Sequence, residues 1–410
     1  MAPGDCWRII ALPVCGDLAG PQLRTAICRP GPQGGRKGWA TPSNQRRALR
    51  SASTKEIPVT IDPSKLDEFV GRFVHDVGAV FHATTVLIGD RLGLYAAMAD
   101  CSPVTASELS ARTSLDERYV LEWLSAQAAS GYCEYDATDA TFHLTEEQAF
   151  GLTNEGNPLF MPGAFQLAAS TIRDDDRIIS AFRTGAGVGW HEHHHDLFQG
   201  TERFFRPGYL ANLVDSWIPA LEGVTDRLNK GAKVADIGCG HGASTIIMAL
   251  AFPKSTFIGF DYHEASIAQA CIAAEKAGVA DRVRFEAASA ADFGGDRYDL
   301  VACFDCLHDM GDPVGAAAHI RGSLSPDGTW LIVEPFAHDR LEDNLNPVGR
   351  IFYSASTTIC TPASRSQPVG AALGAQAGES KLRGVVTAGG FTRFRRVAET
   401  PFNLVLEARP

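Results

Sequence analysis

Val234-Ala235-Asp236-Ile237-Gly238-Cys239-Gly240-His241-Gly242 runs from an apolar strand pattern straight into three alternating glycines, and Ala243 to Phe252 behind them reads as a helix. Glycines directly after a buried strand let the backbone turn tightly and approach a ligand without side-chain obstruction. The helix that follows points its first amides at that ligand. Two acids strengthen the pattern: Asp236 inside it, and Asp261 at the end of the next strand, roughly twenty residues on, where a carboxylate can accept both hydroxyls of a ribose. Around this stretch short apolar strands (Val234 to Ile237, Thr256 to Phe260, Val283 to Phe285, Leu300 to Phe304, Trp330 to Val333) alternate with helical segments. Such alternation predicts a doubly wound parallel sheet. Arg393 to Glu399 and Phe402 to Ala408, separated by Thr400 and Pro401, read as a closing hairpin.

Ahead of the sheet, residues 151–230 carry apolar positions at helical spacing, interrupted by the glycine-rich Thr184 to Gly189; they read as linker helices that bridge two domains and roof a pocket. Residues 64–150 begin with Leu66, Phe69, Val70, Phe73, Val77, Val80 and Phe81 at helical spacing, with a second helix expected through Tyr95. Thr105 and Glu108 have capping-box spacing, and Ser114 with Asp116 and Glu117 suits the start of another helix. The stretches Tyr132 to Tyr135 and Thr141 to Leu144 then flank a polar turn. Three helices and a hairpin in this order give the winged-helix pattern, a variant of helix-turn-helix. Residues 1–57, rich in Gly, Pro, Arg and Ser without periodicity, read as a disordered basic leader.

At 410 residues the chain is long enough for at least two cores. Its formal net charge of −11 is unevenly spread: residues 1–55 carry +7, which leaves −18 for the rest. A body this acidic repels a phosphate backbone, so no nucleic acid is expected as the main partner. The ten cysteines are scattered. Only Cys303 and Cys306 have C-x-x-C spacing, with no second pair to complete a zinc site, so reduced thiols in the cytoplasm are expected. No apolar run is long enough to span a bilayer, and the N-terminus lacks a hydrophobic signal core.

The order Asp-x-Gly-x-Gly-x-Gly from Asp236 to Gly242 resembles the glycine motif of class I S-adenosylmethionine-dependent methyltransferases. A dinucleotide fingerprint would need its third glycine one place later, at Ala243. With a winged helix in front, residues 64–410 resemble a bacterial subfamily of small-molecule O-methyltransferases. The resemblance implies a seven-stranded Rossmann-like α/β sheet with a C-terminal antiparallel hairpin over residues 231–410, a homodimer formed through the N-terminal domain, and S-adenosyl-L-methionine as cofactor. Carried over by position, Asp236 sits near the methionyl amino group, Asp261 on the ribose, and Ser289 and Ala290 beside adenine. Gly238, Gly240, Gly242, Tyr262 and Phe304 complete the candidate cofactor set. His308 stands where plant-type relatives hold a histidine that removes the acceptor's proton, in a His-Asp-Trp triplet whose tryptophan is Met310 here. Asp309 and Glu334 are its candidate partners. His308 is also read as a packing residue under the loop. Between Trp190 and Asp196, His191 and His195 are four apart and could share a helix face as metal ligands; the same cluster also reads as acceptor-pocket lining or as solvated linker, and no metal is expected. The rival function is a regulator that puts its winged helix on DNA. The would-be recognition helix from Ser114 to Ala129 argues against it, with Asp116, Glu117 and Glu122 against Arg118.

Overall fold

The computed structural model describes residues 61–410; the leader expected over residues 1–57 lies outside them. Helix α1 (Pro63–Arg91) starts where the Asp62 carboxylate accepts the Ser64 and Lys65 amides and Pro63 takes a first-turn position that needs no donor. It is one helix, where the sequence pattern suggested two, because nothing between Phe81 and Arg91 interrupts its hydrogen-bond ladder. Gly89 is there for close approach: a Cβ would meet the Trp123 ring at 2.5 Å. Helix α2 (Ala106–Thr113) carries the expected Thr105–Glu108 capping box. Helix α3 (Glu117–Ala129) departs from expectation, since its cap is Asp116, not Ser114. Ser114 ends α2 in a left-handed conformation, and Asp116 is the residue whose carboxylate reaches the Arg118 and Tyr119 amides. Strands β1 (Glu134–Asp136) and β2 (Thr141–His143) pair antiparallel, and a bridge from Val104 to Phe142 adds a third edge to this wing.

Helices α4 (Glu146–Leu152), α5 (Pro162–Ile172), α6 (Asp175–Thr184) and α7 (Asp196–Asn212) lead into the sheet. Its strands are β3 (Lys233–Ile237), β4 (Thr256–Asp261), β5 (Val283–Ala287), β6 (Tyr298–Phe304), β7 (Leu324–Pro335), β8 (Arg393–Glu399) and β9 (Asn403–Arg409), in the order β5-β4-β3-β6-β7-β9-β8. The first five strands of that order run parallel, whereas β9 is antiparallel to both β7 and β8. Consecutive residues of the central strands join cores on opposite faces. Val234, Leu300, Ala302 and Val333 pack on one side, and Ala235, Val301, Cys303 and Ile332 on the other. That is why these strands read as continuous apolar runs: a sheet covered by helices on both faces has no solvent side. From β3 the chain steps outward through β4 to β5 and then returns to β6 on the other side of β3. The reversal opens a crevice at the carboxyl ends of β3, β4 and β6, where such sheets bind ligands.

Candidate active site

The crevice is a cleft of about 1130 Å³, part of it open to solvent, floored by the loop from Gly238 to Gly242. Gly238, Gly240 and Gly242 all have positive φ (73°, 52° and 82°), a backbone that L side chains rarely adopt. Space forbids substitution too: a Cβ at Gly238 would lie 2.7 Å from the Cys306 sulfur, and one at Gly242 would lie 2.5 Å from the Phe285 ring.

Asp236 ends β3 fully buried. Ser244 Oγ and Thr245 Oγ1, from the first turn of the next helix, each donate to its Oδ2 at 2.6 Å. Its Oδ1 has no partner among the described residues. Burial dominates, and the carboxyl is pushed up to about 6 despite the two hydroxyls. Asp261 ends β4 on the cleft wall, with Oδ2 accepting the Gly240 amide at 3.0 Å and Oδ1 the His263 amide at 2.9 Å. Its pKa is raised by burial, partly offset by those amides. It thus ties the glycine loop to β4 and keeps a free lone pair on each oxygen. Tyr262, Ser289, Ala290 and Phe304 also line the cleft.

The loop after β6 divides the remaining candidates. Asp309 and Met310 reach the cleft wall. His308 lies behind them, 3% exposed, with Nδ1 2.5 Å from Glu334 Oε2 and Nε2 3.2 Å from Asp309 Oδ1. Glu334, at the end of β7, also accepts the Leu307 amide at 2.9 Å and so fixes the loop. Burial works against charge on His308, but the two carboxylates outweigh it, and its pKa stands well above the usual histidine value. The ring therefore lies between two acids, and His308 itself does not line the cleft.

Asp305 is a wall residue that carried no sequence signal. It sits beside Phe304 in a left-handed conformation (φ 52°) and accepts the Tyr209 hydroxyl at 3.1 Å. Burial, then the Glu334 charge, push its carboxyl up to about 8. Trp190, Phe198 and Tyr209 come from the segment expected to roof a pocket, and they line the same cleft as the glycine loop. His191 and His195 do not share a helix face. His191 lies in a single 3-10 turn (Trp190–Glu192), the chain is extended at His193, and α7 begins only at Asp196. His193 is buried, with Nδ1 3.0 Å from Asp174 Oδ2. Cys303 and Cys306 are free thiols: Trp330 Nε1 donates to Cys303 Sγ at 3.4 Å, and Cys306 Sγ donates to the Ile237 carbonyl at 3.1 Å.

Comparison with known proteins agrees with this architecture. Residues 228–372 match the family described as "Methyltransferase domain", and residues 81–154 match the "Rv2258c-like winged HTH domain". Among curated proteins the chain is 30% identical over 102 residues to the ubiquinone biosynthesis O-methyltransferase of Dinoroseobacter shibae, which covers 25% of this chain and 40% of that one. The chain spans between 24% and 44% of the length of the curated relatives it matches. Among solved structures, a putative O-methyltransferase from Nostoc punctiforme superposes with a TM-score of 0.62 at 18% identity, over 85% of this chain and 99% of that one. Human N-acetylserotonin methyltransferase in complex with SAM superposes with a TM-score of 0.62 at 15% identity, over 86% and 99%. Those likenesses extend over both regions and show a shared fold. In chain order, then, the family models match a winged helix-turn-helix domain followed by a methyltransferase domain.

Proposed function

We propose that the chain moves a methyl group from S-adenosylmethionine to a small-molecule acceptor, at a hydroxyl oxygen, by in-line displacement. The observation that carries this is the cradle itself: a glycine loop between two carboxylates, one of them with a buried oxygen that lacks a donor. An ammonium group would satisfy Asp236 Oδ1, a ribose diol the free lone pairs of Asp261, and an adenine the wall at Ser289 and Ala290. The cofactor brings a sulfonium methyl already activated toward displacement. The chain's own residues hold the acceptor in line and keep water out, with Phe304, Phe198 and Trp190 as the apolar part of the wall. Alignment can supply about 7 to 11 kcal/mol, far more than the typical 10²- to 10⁴-fold of a general base. With His308 clasped between Glu334 and Asp309, alignment is the main device. Asp309 is the member of that trio on the acceptor side, and the other two position it.

Calorimetry with S-adenosylmethionine and its demethylated product tests the central reading. Both should bind, and Asp261→Ala should weaken both by about 10- to 100-fold, the loss of charge-assisted hydrogen bonds worth about 1.5 to 3 kcal/mol. No heat with either ligand would overturn it.

The same reading gives the N-terminal domain a role in dimerisation and in covering the acceptor, not in reading DNA. On α3 the one arginine, Arg118, is paired with Glu122 at 2.5 Å, which leaves no free cation on that helix for a phosphate. On α1 an apolar face stands open: Phe69, Phe73, Val80 and Phe81 are 65%, 58%, 57% and 73% exposed. A second copy of the chain covers it in our proposal, since a stripe this long does not stay in water in a monomer. Light scattering should give a dimer mass, and Phe73→Asp with Phe81→Asp should give a monomer that still binds cofactor. A wild-type monomer at micromolar concentration would refute the pairing. Every described cysteine is a free thiol, in keeping with a reducing cytoplasm, and no described helix is long and apolar enough to cross a membrane.

A further inference from the structure

Behind the acceptor-side wall, three side chains of metal-ligating type converge from two distant segments. The ring nitrogen of His308, a carboxylate oxygen of Asp309 and the sulfur of Cys360 all lie within 4.8 Å of one another. Cys360 is carried there by a π-helical stretch (Ser356–Cys360) that links the helix Pro347–Ala355 to the helix Thr361–Arg365. Pro362 cannot donate back to the preceding turn, and the wider π turn absorbs the missing bond while turning Cys360 inward. Asp309 Oδ1 makes no well-aligned hydrogen bond among the described residues, although His308 Nε2 lies 3.2 Å from it. The His193 side chain is 1% exposed, and its Nε2 has no hydrogen-bond partner among the described residues. Leu197, four residues along from His193, packs in one apolar cluster with Cys360 and Ile359, which brings the two segments together.

The outer contacts repeat a pattern. Glu334 holds Nδ1 of His308 at 2.5 Å and Asp174 holds Nδ1 of His193 at 3.0 Å, so each carboxylate fixes the tautomer that leaves Nε2 available as a ligand. A carboxylate behind each imidazole is how metal-binding histidines are oriented. We propose that His308, Asp309 and Cys360 bind a divalent transition metal of the zinc class, with its fourth position left open. Thiolate, imidazole and a single carboxylate suit such an ion and not magnesium or calcium. The ion takes the place of the protons that otherwise reside on His308 and the Cys360 thiol. Through Asp309 it stands one side chain from the cleft, where, on the methyl-transfer reading above, it would fix the orientation of that carboxylate at the acceptor's edge. Its binding does not depend on that reading.

The test uses the full chain without a histidine tag and with no methyl donor present, so that its outcome is independent of methyl transfer. Cobalt(II) titration should saturate at about one ion per chain and give a thiolate charge-transfer band in the near ultraviolet. Cys360→Ser should weaken cobalt and zinc binding by about 100-fold or more, beyond the 10- to 100-fold that loss of an outer partner such as Glu334 brings. His195→Gln alters the separate group of His194, His195 and Asp196, in which His195 is the exposed member, and should leave affinity unchanged. No binding, or binding that His195→Gln removes, overturns the proposal. Should Cys360→Ser fail to fold, the wild-type spectrum decides alone: cobalt bound without the thiolate band excludes Cys360 as a ligand and refutes the site.

Discussion

Gly242→Ala should cost the fold about 2 to 4 kcal/mol, seen as a lower urea midpoint at unchanged slope. Two penalties add. At φ 82° an alanine pays about 1 to 2 kcal/mol of backbone strain. Its Cβ would also stand 2.5 Å from Phe285 Cζ and 3.1 Å from Ala270 Cβ, and overpacking of that kind costs about 1 to 3 kcal/mol. The lower entropy of the unfolded alanine chain returns about 0.4 to 1 kcal/mol. Gly322→Ala is the contrast. It lies in the helix Pro313–Ser323 with nothing within 4 Å of the added carbon, so stability should rise by about 0.5 to 1 kcal/mol. A Gly242→Ala protein as stable as wild type would mean that Phe285 retreats and that the loop tolerates a side chain, and would remove the steric reason for glycine there.

Phe285 shows why the fold was legible in the sequence and part of the site was not. The strands are continuous apolar runs whose alternate residues enter two cores, and that pattern is local. So are the Asp62 and Thr105 caps, each of which acts within three or four residues of itself. Errors arose where two local signals competed. Ser114 and Asp116 are both good caps, and the choice between them depends on Ser114 closing the preceding helix in a left-handed turn. The second helix expected through Tyr95 is instead the continuation of α1, within which the small size of Gly89 serves the approach of Trp123 from another helix.

The cofactor half of the site is likewise local, since Asp236 to Gly242 and Asp261 lie on consecutive strands of one βαβ unit. The acceptor half is assembled across the chain. Asp305 is raised toward neutrality by burial and by Glu334, almost thirty residues away in sequence, and its hydroxyl partner Tyr209 lies on α7. His308 carries the right residue type at the right place in the loop. Its setting follows from Glu334 and Asp309 closing on both nitrogens, which spacing alone does not reveal.

Asp236→Asn should stabilise the ligand-free protein while it weakens cofactor binding. The folded carboxyl has a pKa of about 6 against an ordinary value of 3.8. At pH below 4 folded and unfolded chains both hold the proton, and burial of the neutral acid carries no charge penalty. As pH rises through 4 the unfolded chain ionises while the folded one resists, so stability from this group is lost progressively up to pH 6 and stays lost above it. A shift of that size amounts to about 3 kcal/mol. Asparagine still accepts from Ser244 and Thr245 but has no charge to bury, so at pH 8 the variant should gain about 1 to 3 kcal/mol in urea unfolding. Its amide in place of Oδ1 takes back part of the full value. Near pH 4 the gain should vanish. Affinity should move the other way: an ammonium facing Oδ1 would lose a charge-assisted bond worth about 1.5 to 3 kcal/mol, a loss of about 10- to 100-fold. A variant that gains stability at pH 8 and keeps full affinity would show Asp236 to be only the anchor of the helix behind the glycine loop, and the methionyl end of the cofactor would then have to be held elsewhere in the cleft.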